Sequence, residues 1–176
     1  MAIGCKHFNG RSSMLSKTQL VDHTALKINQ ITIIILCITA FILDEPWLAF
    51  GTALFLLAGT VIGKPGFLFI YSKILRPSGL AKPRIYEDNP EPHRFSQGLG
   101  GTLILAGSLA LMAGATLIGW SLIWLVTALA ALNAFGGFCV GCFAYYWLAR
   151  FKIPGFSKLP PEGTIPGMRP QGNGGE

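Results

Sequence analysis

Charge is what this chain has least of. Asp, Glu, Lys and Arg make up 12% of its 176 residues, about half of what a water-soluble domain uses to cover its surface. That shortage excludes an ordinary cytosolic globular protein. The cationic surplus, 14 Lys and Arg against 8 Asp and Glu, is too dilute to form a nucleic-acid surface, and no nucleic-acid partner is expected. Only one Cys-x-x-Cys occurs, and Phe143 rather than His follows it. A four-cysteine zinc site and c-type haem attachment are thereby removed, and no metal ligand set is assigned. No apolar run contains an ionisable pair, which leaves a small-molecule transport path without support.

What is present is long and apolar. Residues 28–43, 47–63, 98–119 and 121–149 are uncharged runs of 16, 17, 22 and 29 residues. At about 1.5 Å per residue, the last two cross a hydrocarbon layer of about 30 Å. The first two do so once Asn29, Gln30 and Lys64 sit among the headgroups. The expected fold is an all-α integral membrane protein, a four-helix bundle with spans 28–43, 47–63, 98–119 and 121–149. A polar N-terminal tail (1–27) with room for a surface helix precedes it. A cytoplasmic loop (64–97) divides it, and a disordered Pro/Gly-rich C-terminal tail (150–176) follows. Within the loop, Pro65 to Leu75 is too short to span and reads as interfacial or as an extension of the second helix. Leu43-Asp44-Glu45-Pro46 offers no small-residue cleavage site, so the first run reads as a retained span.

The cations set the orientation. Lys6, Arg11, Lys17 and Lys27 precede the first run. Lys64, Lys73, Arg76, Lys82, Arg84 and Arg94 lie between the second and third, and Arg150, Lys152, Lys158 and Arg169 follow the fourth. Asp44-Glu45-Pro46 and the turn expected around Gly119-Trp120 carry none. Under the positive-inside rule both termini and the long loop are cytoplasmic. Trp47, Trp120 and Trp124 then mark the outer interface, and Tyr145, Tyr146 and Trp147 the inner one.

Asp22 through Asn29-Gln30 leads into the first apolar hairpin, and Asp88 through Ser96-Gln97 leads into the second. This weak repeat implies two hairpins related by an axis along the membrane normal, a parallel 2+2 arrangement. Any cytoplasmic helix start favours the same residue types, so the pattern also has a plain anchoring explanation. Gly98, Thr102, Ala106, Ala110 and Gly114 recur every four residues, as do Asn133, Gly137 and Gly141. Such stripes let helices approach closely, within one chain or between two. Asn133 falls near the expected midplane, where its amide needs a partner from another helix.

The chemistry that the residue types allow rests on cysteine. Cys139 and Cys142, at i and i+3, share a helix face and form the candidate redox pair. Cys37 lies at a similar depth and is a possible third thiol, and Cys5 is in the N-terminal tail. Late in an unbroken helix, burial and the negative dipole end oppose a thiolate. If Gly136-Gly137 breaks the helix, the pair opens a new segment whose N–H groups favour one. Cysteines in membrane helices also serve as small apolar fillers, so spacing leaves reactive and structural roles both open. His23 and His93, near the two cytoplasmic helix starts, are candidates for proton transfer and equally for interfacial polar residues. No cofactor is predicted, and a quinone or metal is not excluded by the residues.

These features resemble a bacterial family of small membrane proteins known as domain of unknown function 4395. The resemblance rests on Val21-Asp22 with Asn29-Gln30, on Glu87-Asp88 with Pro92-His93-Arg94-Phe95-Ser96-Gln97-Gly98, and most distinctively on Asn133-Ala134 with Gly137-Phe138-Cys139-Val140-Gly141-Cys142. It covers roughly residues 21–150. It implies a four-helix bundle with a CxxC near the end of the fourth helix, in a bacterial cytoplasmic or internal photosynthetic membrane. Association of the family with thioredoxin-like and rhodanese proteins implies thiol or sulfur traffic. Four-helix thiol oxidoreductases that reduce quinones also use a membrane CxxC, but theirs works with an outer shuttle pair that is missing here. Two functions follow as expectations: a membrane thiol protein exchanging with a thioredoxin-like or rhodanese partner, or an accessory subunit of a larger membrane complex.

Overall fold

The computed structural model describes residues 19–77, 83–160 and 164–169. The N-terminal tail with Cys5 and its expected surface helix lies outside the described residues, apart from the last few positions before the first helix. Strand β1 (Gln19–Asp22) leads directly into α1 (His23–Ile42), which pairs with α2 (Pro46–Ile62) through a short turn. A short helix, α3 (Leu68–Ile70), runs on into a π-helical turn at Tyr71–Leu75. Strand β2 (Ile85–Asp88) then leads into α4 (Pro90–Met112), α5 (Thr116–Gly136) and α6 (Val140–Arg150).

Local chemistry explains these boundaries. Asp22 caps α1 by accepting the Thr24 N–H at 2.9 Å and the Ala25 N–H at 3.4 Å, which satisfies two of the free donors of the first turn. Pro46 and Pro90 occupy first-turn positions of α2 and α4, where a missing N–H costs nothing. Gly63 ends α2 in the left-handed conformation at φ 80°.

The strands pair antiparallel, with Gln19 opposite Asp88 and Asp22 opposite Ile85. This ladder ties the start of α1 to the start of α4. The helix contacts then repeat: α1 packs on α2 as α4 packs on α5, and α1 packs on α5 as α4 packs on α2. Ile33, Cys37 and Ala40 of α1, Ala49, Ala53 and Leu56 of α2, Ile104 of α4, and Trp120, Ile123 and Val126 of α5 form the core. The outward faces are apolar too, with Ile35, Leu54, Val61, Leu109, Leu117, Leu125 and Phe135 exposed. Helices α1, α4 and α5 are long and apolar enough to cross a membrane, and α2 is a shorter apolar helix. Every Lys and Arg among the described residues lies toward the end that carries the strand ladder, while Asp44 and Glu45 sit at the opposite turn.

The structure departs from the sequence expectations in four places. The second hairpin turns at Gly114, φ 84°, and not at Gly119-Trp120. Gly119 lies inside α5, where a Cβ would come within 2.7 Å of the Gly107 carbonyl oxygen; its smallness serves packing, and that of Gly114 serves the turn. The run 121–149 is not one helix but the end of α5 and all of α6, separated at Gly137. The packed stripe of α4 is Gly101, Ile104, Gly107 and Ser108. Thr102 and Ala106 are exposed, Ala110 is half-buried and Gly114 is in the turn. The tail expected to be disordered is docked where it is described: Phe156 packs on Phe95 and Tyr145, and the Asn89 side-chain amide donates to the Leu159 carbonyl at 2.8 Å.

Candidate functional site

The break between α5 and α6 builds the site. Gly137 closes α5 in the left-handed conformation at φ 68°, one that a side chain rarely adopts. Phe138 forms an isolated antiparallel bridge to Met168. Cys139, in extended conformation, is the cap of α6, and its Sγ accepts the Cys142 N–H at 3.2 Å. The CxxC therefore opens a helix rather than closing one. The N-terminal N–H groups and the positive dipole end of α6 therefore lie at the pair. Gly141 lets α6 lie against α4, because a Cβ there would run into the side chain of Ser96.

Cys139 and Cys142 form a disulfide with Cα atoms 5.2 Å apart. Both are buried, Cys142 with 3% of its surface exposed. Ser96 Oγ lies 3.4 Å from Cys139 Sγ, and His93 Nδ1 lies 3.5 Å from Cys142 Sγ. The other nitrogen of His93, Nε2, is 2.9 Å from Asp88 Oδ2. His23 Nε2 lies 3.2 Å from the same oxygen, at an angle that leaves it without a well-formed hydrogen bond. The two imidazoles stand edge-on, with centroids 5.7 Å apart.

Asp88 is 4% exposed. Burial pushes its pKa up, but His23, His93 and the Asn89 N–H more than offset this and hold its carboxyl well below the usual carboxylate range. The carboxylate accordingly stays ionised and orients the His93 ring. With a proton on Nε2 toward Asp88, Nδ1 is the ring nitrogen that faces Cys142, and its lone pair gains a donor there once the disulfide is opened to a thiol.

Residues 164–169 lie across this arrangement as a strap. The Cys139 N–H donates to the Gly167 carbonyl at 2.7 Å, and the Arg169 N–H donates to the Gly137 carbonyl at 3.0 Å. Arg169 Nη2 also donates to the Asn133 carbonyl at 3.4 Å. Beneath the strap, a pocket of about 30 Å³ touches both cysteines, His23, Asp88 and His93. A larger, mostly apolar cavity of about 120 Å³ reaches Cys139, His93, Ser96 and Asn133 from between the helices.

From Val21 to Arg150 the chain matches the family described as Domain of unknown function (DUF4395). The chain belongs to this family. The match takes in α1 to α6 and the CxxC and stops before the strap. No curated protein and no solved structure matches the chain.

Of the residues singled out in the sequence, His23, His93, Cys139 and Cys142 come together here. Cys37 is a buried free thiol in the core, facing Thr127, and its sulfur is not part of the group formed by His93, Cys139 and Cys142. Asn133 lies in the last turn of α5, beside both cavities, and not halfway along a continuous span. Gly137 and Gly141 act as break and contact. Sequence reading did not single out Asp88, Ser96 or the strap as parts of the site. Asp88 and Ser96 were visible only as members of a helix-start motif, and residues 164–169 carried no signal beyond proline, glycine and the cation Arg169.

Proposed function

We propose that this is a membrane thiol–disulfide protein in which Cys139 and Cys142 cycle between disulfide and dithiol. The observation that carries the reading is the chain of contacts from Cys142 through His93 to Asp88. It supplies a proton acceptor and donor beside a buried sulfur. In reduction, an incoming thiolate attacks one sulfur, a mixed disulfide forms, and the other sulfur leaves as thiolate. A second thiolate of the same partner then releases the pair, so two electrons and two protons pass from partner dithiol to protein. Cys139, stabilised at the start of α6, suits the role of thiolate. Cys142, against His93, suits proton uptake and release.

In this reading α1, α2, α4 and α5 span a bacterial membrane, with the cationic end in the cytoplasm by the positive-inside rule. The exchange partner is a cytoplasmic thioredoxin-like or sulfur-carrying protein. It reaches the pair when the strap lifts, since the strap is held over it by a few backbone hydrogen bonds.

The test is the state of the pair in native membranes, read as mass shifts after alkylation with and without a dithiol reductant. Two additional alkylated cysteines after reduction, absent in Cys139→Ser/Cys142→Ser, are expected. A pair inert to both reductant and oxidant would overturn the proposal.

A further inference from the structure

We propose that the reduced form of this site binds one soft monovalent metal ion of the Cu(I) type, through the two sulfurs of Cys139 and Cys142 and Nδ1 of His93. This goes beyond thiol exchange: it requires only that the dithiol can form. The three donor atoms lie within 4.8 Å of one another, and the His93 nitrogen is 3.5 Å from Cys142 Sγ. Three donors at about 2.0–2.3 Å around one ion are spaced about 3.5–4.0 Å apart. The imidazole thus already stands at ligand spacing from Cys142, and the sulfurs, once unlinked, need to separate around the ion.

What lies behind the ligands matches a metal site as well. A ligating histidine characteristically gives its second ring nitrogen to a carboxylate, which fixes the tautomer and raises the basicity of the first. His93 does this with Asp88 at 2.9 Å. Asp88 is itself fixed by the Asn89 N–H at 2.7 Å.

The donor set chooses the ion. Two thiolates and an imidazole are soft, and hard cations such as Mg²⁺ and Ca²⁺ seek oxygen. Structural zinc takes four protein ligands, and zinc held by two cysteines and one histidine keeps a fourth position for water and leaves the site without net charge. Among the described residues no fourth His, Cys, Asp or Glu offers an atom within 4.8 Å of all three. A three-donor, sulfur-rich site fits Cu(I). Met168 lines the small pocket around the site, as do Lys27 and Arg169. The thioether adds a soft wall. The two cations oppose the single negative charge that two thiolates, a neutral imidazole and a monovalent ion carry together.

Disulfide and metal exclude each other, because the S–S bond occupies both sulfurs. Opening it takes two electrons and two protons from a dithiol, which becomes a disulfide. Each new thiol then gives up its proton as its sulfur–metal bond forms. Loading is therefore gated by the thiol redox state.

The test uses full-length protein in lipid nanodiscs, reduced by a phosphine and titrated with Cu(I) against a chromogenic competing chelator. One tightly held ion per chain is expected, with none at this site in the oxidised protein. Cys139→Ser/Cys142→Ser, which keeps Cys5 and Cys37 as a background control, is expected to lose it. His93→Ala weakens binding by more than tenfold, and Asp88→Asn by about 10- to 100-fold. X-ray absorption on the wild-type protein, independent of any variant, is expected to show two sulfur neighbours and one nitrogen. Equal binding by the double-serine variant, no effect of His93→Ala together with no nitrogen neighbour, or a pair that the phosphine cannot open would each overturn the proposal. A pair that exchanges with dithiols yet binds no ion overturns this inference alone. A pair that loads with Cu(I) yet exchanges with no protein dithiol overturns only the exchange reading.

Discussion

Cys142 and His93, 49 positions apart in the chain, meet with 3.5 Å between Sγ and Nδ1. The separation is within reach for proton transfer from a thiol, and the ring is aimed by Asp88 from its other side. Replacing His93 by Ala is expected to slow exchange of the reduced protein with a small aromatic disulfide by about 100-fold near pH 7. Asp88→Asn is expected to act in the same direction and less strongly. Stopped-flow rates in detergent decide it, and an unchanged rate for His93→Ala would remove the imidazole from the chemistry.

Gly167 seats the strap on the pair, its carbonyl accepting the Cys139 N–H. It holds φ 84°, and a Cβ there would come within 2.9 Å of Phe143 Cβ and 3.0 Å of the Cys139 carbonyl. A side chain in the left-handed region costs about 1–2 kcal/mol, enough to open the strap about ten times as often. Gly167→Ala is expected to speed maleimide labelling of the reduced pair by about tenfold. Because the strap lies outside the helix core, the melting temperature should barely move. Labelling at the wild-type rate would show that the strap does not limit access.

Two glycines of the apolar helices should respond in opposite directions. At Gly119 a Cβ would meet the Leu111 side chain and the Gly107 carbonyl, so Gly119→Ala is expected to destabilise by about 1–3 kcal/mol. At Gly51, inside α2, a Cβ meets nothing within 4 Å. Gly51→Ala is expected to stabilise by up to about 1 kcal/mol through helix propensity. Thermal unfolding of both variants in one detergent gives the signs directly.

The contrast between these glycines shows what the sequence made legible. Uncharged runs were enough to find long apolar helices but not their limits: the second hairpin turns earlier than the runs imply, and the last run merges the end of α5 with α6. Glycine was ambiguous, because Gly114 and Gly119 differ only in whether the backbone turns or a neighbour presses close. The strand ladder pairs four residues with four others more than sixty positions away, and such short polar segments have no periodicity to betray them. The site suffers from the same non-locality. His93 and the cysteines were each visible, but their meeting depends on the break at Gly137 and on Gly141 abutting Ser96. Asp88 looked like a helix-start residue, which in part it is.

At the other end of the ladder, the Tyr71 hydroxyl donates to Asp22 Oδ2. Burial and the neighbouring carboxylate push the Tyr71 pKa up from its ordinary 10 to about 12. The folded state therefore favours the neutral phenol. That contribution to stability is fully present below about pH 10 and is lost as the pH rises through 10 toward 12. Melting curves between pH 8 and 11.5 should show this loss, and Tyr71→Phe should flatten it. A Tyr71→Phe variant with the wild-type alkaline slope would assign the effect elsewhere.

The ladder joins a foot of each hairpin, and the site belongs to neither hairpin alone. His23 comes from the first strand-and-hairpin unit. Asp88 and His93 come from the second, and the cysteines come after both. During synthesis the thiols are the last of these groups to appear. Until α6 docks on α4 they have no imidazole beside them. On the thiol-exchange proposal, a chain caught half-made would carry cysteines of ordinary reactivity, and the pair would become competent only when assembly is finished.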